Sequence, residues 1–159
     1  MLCLTVSTSG NSGMIQKGWA FFFELVHMST VFTKIITGDL PGHFVYRDET
    51  AVAFLSINPI RPGHTLVVPH REVSHWVDLD SETMQHLTSV AHRVAQAQME
   101  VFQPQRVGMI IAGFEVPHTH IHLVPIDRES QLSFAHAAAS VDHQELAQIA
   151  QDLASRLVR

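Results

Sequence analysis

Three imidazoles at strict two-residue spacing, His118, His120 and His122, sit within the stretch Val116-Pro117-His118-Thr119-His120-Ile121-His122-Leu123-Val124-Pro125. On an extended chain, side chains alternate between faces, so the three rings would share one face at roughly 6.5 Å intervals, with Thr119, Ile121 and Leu123 opposite. On a helix they would fan apart. The β-branched residues and the bounding Pro117 and Pro125 favour a short strand of about seven residues. Such a row can ligate a metal such as Zn²⁺, with Glu115 or His64 as a further ligand. Alternatively, one neutral ring can attack phosphorus while protonated neighbours hold the phosphate oxygens, splitting one displacement into two through a phosphoramidate. A hydrogen-bonded face of the sheet is the third reading, since the chain has 12 histidines. Composition alone leaves all three open.

Elements on either side must deliver these rings to one place. From Ser29 the apolar positions Val31, Phe32, Ile35 and Ile36 predict a short helix, capped by Ser29 or Thr30 and stopped by residues 38–42. Phe44-Val45-Tyr46 and Thr50-Ala51-Val52-Ala53-Phe54-Leu55, with Arg47-Asp48-Glu49 between them, predict a hairpin. The polar loop of residues 56–63 then feeds His64 into the strand Thr65-Leu66-Val67-Val68-Pro69. Two strands around that loop bring Ser56, Asn58 and His64 to one end of a sheet, although ordinary turn chemistry also accounts for Ser56 and Asn58.

A long amphipathic helix is expected from Asp80 or Ser81 to about Val101, with Met84, Leu87, Val90, Ala91, Val94 and Ala95 on its core stripe. Residues 106–112 read as a buried strand, turned by Gly113-Phe114-Glu115 into its antiparallel neighbour, the histidine strand. After a loop with a helical turn near Phe134 to Ala138, Asp142-His143-Gln144-Glu145 opens a last helix facing the core through Leu146, Ile149, Ala150, Leu153 and Leu157. The expected fold class is α+β: a five-stranded, mainly antiparallel sheet with helices on one side. Residues 1–27 read as a poorly ordered leader, with a docked helix from Trp19 to Val26 as the alternative; residues 28–140 read as the domain and 141–159 as a helix packed on it.

A net charge of −5 with only 10 Lys and Arg leaves no footprint for a nucleic-acid duplex and no polybasic patch for a membrane. The single cysteine, Cys3, excludes an internal disulfide framework and fits a cytoplasmic location.

His118-Thr119-His120-Ile121-His122-Leu123-Val124 resembles the signature of the histidine triad (HIT) superfamily of nucleotide hydrolases and transferases, His-φ-His-φ-His-φ-φ with φ apolar. The likeness runs back through Val31-Phe32-Thr33-Lys34-Ile35-Ile36-Thr37-Gly38-Asp39-Leu40-Pro41 and through residues 53–69, so about residues 29–126 are covered in three ordered blocks, closest in look to the bacterial nucleoside phosphoramidase-like branch. The resemblance implies a HIT-like fold that pairs into a homodimer, binds a purine nucleotide or nucleotide conjugate, and cleaves at the α-phosphorus without a metal or other cofactor. It makes His120 the nucleophile that becomes nucleotidylylated, with His118, His122 and His64 orienting it or contacting phosphate. Ser56 and Asn58 would line the nucleoside pocket, and Glu115 would lie near the leaving group. At Ser56 many relatives carry Asp or Asn, so the ribose grip is expected to be weaker. The loop before the triad is shorter and less polar than in many relatives, which removes phosphate contacts. Thr33 stands where some bacterial members have a zinc-binding cysteine, so no structural zinc is expected.

Overall fold

The computed structural model describes residues 29–157, and the reading of residues 1–27 as a leader lies outside them. Thr30 caps helix α1 (Val31–Thr37) by accepting from Thr33 N, and Gly38, at φ 88°, ends it in the left-handed region where a Cβ is unfavourable. Strands β1 (Phe44–Arg47) and β2 (Ala51–Leu55) form the expected hairpin, whose turn is held by Asp48 Oδ1 accepting from Thr50 N at 2.8 Å and Ala51 N at 2.7 Å. Strand β3 (Thr65–Pro69) follows the polar loop, and helix α2 (Ser81–Phe102) starts at the Asp80 cap. Strands β4 (Arg106–Ile110) and β5 (Ile121–Ile126) and helix α3 (His143–Leu157) complete the fold.

The sheet order is β1-β2-β3-β5-β4, with every pairing antiparallel. The fold class is therefore α+β, as the sequence indicates. One face carries Ala51, Ala53, Leu55, Val67, Ile121 and Leu123 against Leu87, Val90, Ala91 and Val94 of α2 and Leu146, Ala150 and Leu153 of α3. Those helix positions recur every three or four residues, so a single stripe of each helix is buried.

Three expectations are corrected. The helices do not all lie on one side: Phe32 of α1 packs with Val52, Phe54, Leu66 and Val68 on the opposite face. Strand β4 is an edge strand, half exposed along its length, because only β5 flanks it; its apolar run is not that of a central strand. The histidine strand begins later than expected. Strand β5 begins at Ile121, so only His122 belongs to the ladder, and residues 111–120 form a longer connection than the turn predicted at Gly113-Phe114-Glu115.

Candidate active site

His122 pairs with Leu66 across β3 and β5, which places it on the α1 face of the sheet. His118 and His120 precede the strand, yet they reach the same face: the Phe32 ring lies 6.1 Å from the His118 ring and 4.9 Å from that of His120, edge on. His120 and His122 rings are 4.6 Å apart, and those of His64 and His122 are 5.2 Å apart. All four are buried, His118 completely. The structure thus brings His64 and the triad together, as the sequence reading requires.

The hydrogen bonds assign each proton. Ile60 N–H can only donate, and its partner is His64 Nδ1 at 3.1 Å, so that nitrogen is bare and Nε2 carries the hydrogen. His64 Nε2 lies 2.9 Å from His122 Nδ1 and donates to it, which leaves the His122 hydrogen on Nε2. The His118 carbonyl can only accept, so His120 Nδ1, at 2.7 Å, donates to it and the His120 lone pair sits on Nε2. His118 Nε2 in turn donates to the Pro69 carbonyl at 2.8 Å. The neutral set therefore presents one bare nitrogen, His120 Nε2, beside one N–H, His122 Nε2.

Burial keeps the rings neutral. Desolvation, reinforced by the neighbouring His120, lowers His64 to about 4, and desolvation with His120 and His64 lowers His122 to about 3. Burial also lowers His120, against the opposing pull of the His118 carbonyl and the Glu115 carboxylate. Burial therefore opposes the protonated neighbours expected from the sequence.

His64, His120 and His122 line a cleft of about 680 Å³, a size suited to a small organic ligand. Its apolar wall comes from Phe32, Ile35, Leu40, Phe54 and Leu66, and its rim includes Ser56, Asn58 and the exposed Glu115. His118 does not line it, because both of its ring nitrogens face the protein. Ser56 Oγ accepts from Asn58 N at 3.2 Å, and Asn58 Nδ2 donates to Ala138 O at 3.1 Å, so turn chemistry and pocket lining coexist at these two residues.

Sequence reasoning missed one whole wall. Phe134, Ala137, Ala138 and Ala139 close the cleft beside His122, with the Phe134 ring 4.9 Å from that histidine, edge on. At the mouth His43 Nε2 and His143 Nδ1 share a hydrogen bond of 3.1 Å, although 100 residues separate them. Gln98 was missed as well. It is fully buried in α2, and the two hydrogens on its Nε2 are shared among Gly63 O at 2.7 Å, Leu123 O at 3.2 Å and Thr65 Oγ1 at 3.3 Å, tying together the strands that follow His64 and carry His122. Only a polar residue on an apolar stripe could have signalled it. Thr33 donates to the Glu72 carboxylate, and among the described residues no group of three or more His, Cys, Asp or Glu is arranged to hold a metal ion.

The chain is similar to several known proteins. The adenosine 5'-monophosphoramidase of Saccharomyces cerevisiae is 29% identical over 129 residues, covering 80% of this chain and 82% of its own. An uncharacterized HIT-like protein of Borreliella burgdorferi is 34% identical over 102 residues, covering 60% of this chain and 73% of its own. Among solved structures, a Hit-like protein of Bartonella henselae superposes with a TM-score of 0.71 at 25% identity, covering 80% of this chain and 96% of the other. A Zn-bound histidine triad family protein of Mycobacterium smegmatis gives 0.69 at 29% identity, covering 82% and 94%. A family model, the HIT domain, matches residues 37–129, more than half of the chain and all of the sheet from β1 to β5. With four buried histidines gathered together, three of them lining the cleft, this chain belongs to the HIT domain family.

Proposed function

We propose that the chain hydrolyses nucleoside phosphoramidates or other AMP-linked compounds through a nucleotidyl intermediate on His120. The observation that carries this is the proton assignment: His120 Nε2 is bare because Nδ1 is engaged by the His118 carbonyl at 2.7 Å, and the His120 and His122 side chains both line the cleft. A neutral imidazole fixed in that tautomer is a nucleophile at neutral pH. Its lone pair attacks the α-phosphorus, a nitrogen–phosphorus bond forms, and the bond to the leaving amine breaks, the amine keeping the electron pair and taking up a proton. Water then cleaves the His120–phosphorus bond, giving the nucleoside monophosphate and restoring the ring. The His122 N–H is placed to donate to a phosphate oxygen as charge develops there, a term that grows in the transition state and so accelerates the step. His64 keeps His122 in the donating tautomer, and His118 holds the nucleophile.

In this reading the apolar end of the cleft, at Phe32, Ile35, Leu40 and Phe54, receives a purine, while Ser56 and Asn58 meet the ribose and Glu115 the leaving group. Support comes from the yeast relative, named an adenosine 5'-monophosphoramidase, and from a Schizosaccharomyces pombe protein named bis(5'-nucleosyl)-tetraphosphatase, 35% identical over 85 residues, of which this chain spans 47%. Pairing into a homodimer and a cytoplasmic location belong to the same proposal; light scattering of the purified chain checks the first and fractionation the second. Turnover of a fluorogenic adenosine phosphoramidate by wild type, lost in His120→Ala and His120→Asn, is the expected result. Equal turnover in all three proteins would refute it.

A nucleotide-binding module with little catalysis is the second reading, favoured by the engagement of Ser56 Oγ and the Asn58 amide within the protein. Calorimetric AMP binding with no nucleotidylylation of His120 would support it.

A further inference from the structure

The segment that carries the nucleophile lies outside the sheet ladder. Strand β5 starts at Ile121, so other bonds must hold residues 118–120. Three of them come from the end of β3 and the chain just after it. Thr119 N and Oγ1 both donate to Val73 O, at 2.7 and 2.9 Å, and His118 Nε2 donates to Pro69 O at 2.8 Å. The other His118 nitrogen, Nδ1, meets Thr30 Oγ1 at 3.0 Å. That hydroxyl also lies 3.1 Å from Glu72 Oε2, which accepts in addition from Thr30 N at 3.0 Å and from the Thr33 hydroxyl. The chain of contacts therefore runs from a half-buried carboxylate through one hydroxyl to a fully buried ring.

Counting hydrogens shows what this cluster can do. Thr30 has one hydroxyl hydrogen, and the acceptors within its reach are His118 Nδ1, the Glu72 carboxylate and, at 3.2 Å, the Thr33 hydroxyl oxygen. With His118 neutral, Nδ1 is bare, because Nε2 is committed to the Pro69 carbonyl, and the Thr30 hydroxyl donates to it. With His118 protonated, Nδ1–H donates to Thr30 Oγ1 and the Thr30 hydroxyl turns to Glu72. Each state has a donor for every acceptor that it needs, and the ring keeps the same place in both. A hydroxyl at position 30 can reverse direction in this way, and a carboxylate at position 72 balances the charge of the second state; the Thr33 hydroxyl, 3.5 Å from His118 Nδ1, donates to the same carboxylate.

We propose that Glu72, acting through the Thr30 hydroxyl, is a positioning residue for the nucleophile: it fixes the His118 ring, whose main-chain carbonyl holds His120 Nδ1 and so keeps the His120 lone pair on Nε2. Neither Glu72, Thr30 nor His118 lines the cleft, so none of them contacts a bound substrate. The titratable groups facing the His118 ring are Glu72, from the chain after β3, and His120 on its own segment; Arg71 reaches it through its main chain only, and α1 offers the uncharged Thr30, Thr33 and Phe32. Burial would raise the Glu72 carboxyl, but the hydrogen bonds from Thr33 and Thr30 outweigh it and hold the group ionised at neutral pH. That charge favours the protonated His118 ring, against burial and the neighbouring His120.

The inference rests on His120 as the nucleophile only for its rate consequence, and the test separates the two. Ring-nitrogen proton correlation spectra of ¹⁵N-labelled protein report the tautomer and the titration of His118 directly. In Glu72→Gln, which keeps the side-chain size and drops the charge, the His118 titration is expected to move to lower pH. Thr30→Val is expected to move it the same way, and Thr30→Ser, which restores the hydroxyl, to return it to the wild-type position. Amide spectra confirm that each variant is folded. With a fluorogenic adenosine phosphoramidate, Glu72→Gln is expected to lose roughly tenfold in kcat with KM unchanged, since the perturbed groups lie outside the cleft. A His118 titration unmoved in Glu72→Gln, or a Thr30→Ser variant that behaves like Thr30→Val, would overturn the relay. If wild type turns over no nucleotide conjugate, the proposed function fails, while the spectra still decide the relay.

Discussion

Replacing Gln98 by methionine sets two opposing effects against each other inside the core. The side chain is fully buried, and its Nε2 supplies hydrogen bonds to Gly63 O, Leu123 O and Thr65 Oγ1, while its Oε1 has no partner among the described residues. Methionine is close in volume and in helix propensity, so packing and α2 itself change little. At about 1 kcal/mol for each made bond, with an added cost for carbonyls left bare in the interior, the lost Nε2 bonds destabilise by about 2–3 kcal/mol. Gly63 O keeps a second donor, the Thr65 hydroxyl at 2.9 Å, which limits the loss. Removing the unpaired Oε1 returns about 1 kcal/mol. The bonds win, and a net loss of about 1–2 kcal/mol remains. For a chain of 159 residues that corresponds to a fall in Tm of roughly 2–8 °C, readable by calorimetry or circular dichroism. Turnover should fall as well, because Gln98 ties the residue preceding His64 to the strand that carries His122. A Tm unchanged or raised in Gln98→Met would refute the reasoning, since the unpaired oxygen would then outweigh the bonds.

Other perturbations separate stability from chemistry. His120→Asn is expected to cost at least roughly 10³ in kcat with little change in Tm, checked by steady-state assay beside thermal unfolding. The acid side of the kcat/KM profile should lie below pH 6.5, because burial lowers His120 from that ordinary value and the lone pair survives into mild acid; a midpoint above 6.5 would contradict it. Stability should follow His64, whose folded value of about 4 lies below the unfolded 6.5. The unfolded chain binds the proton first, so the stability present above pH 6.5 is lost as pH falls towards 4, by about 2–3 kcal/mol at pH 4.5, and urea titrations of wild type and His64→Phe should show the slope in the first and a smaller one in the second. Gly63 and Gly38 both have positive φ, at 84° and 88°, but a Cβ at Gly63 would meet the Phe102 ring at 2.3 Å and one at Gly38 would meet nothing within 4 Å. Gly63→Ala should therefore cost about 2–4 kcal/mol and Gly38→Ala about 1 kcal/mol, the difference measuring how far Phe102 can give way.

Local pattern carried much of this fold. The Asp80 cap and the three-to-four residue recurrence of Leu87, Val90, Ala91 and Val94 mark α2, and Phe44 to Leu55 mark a hairpin, because each signal is complete within a few turns of chain. The triad was visible for the same reason. Strand order was not. Residues 106–112 are apolar enough for a central strand, and only the course of the whole sheet makes β4 an edge. The start of β5 was placed too early because alternation persists through His118 and His120, whereas the ladder stops at Ile121 and other bonds replace it. Features of the cleft and of its support join residues far apart: Asn58 to Ala138 and His43 to His143 at the cleft, Thr30 to Glu72 beside His118. Pairings across 42 to 100 residues leave no period in the sequence. Gln98 escaped for a different reason, since glutamine on a helix is ordinarily a surface residue.

The attacking nitrogen is the central claim, and intact-protein mass spectrometry after rapid acid-free quenching of a reaction with an adenosine phosphoramidate tests it most directly. An added adenylyl mass on the wild-type chain, mapped by peptide fragmentation to His120 and lost in His120→Asn, is the expected result. Turnover without any adenylylated protein, or a label mapped to His64, His118 or His122, would contradict it.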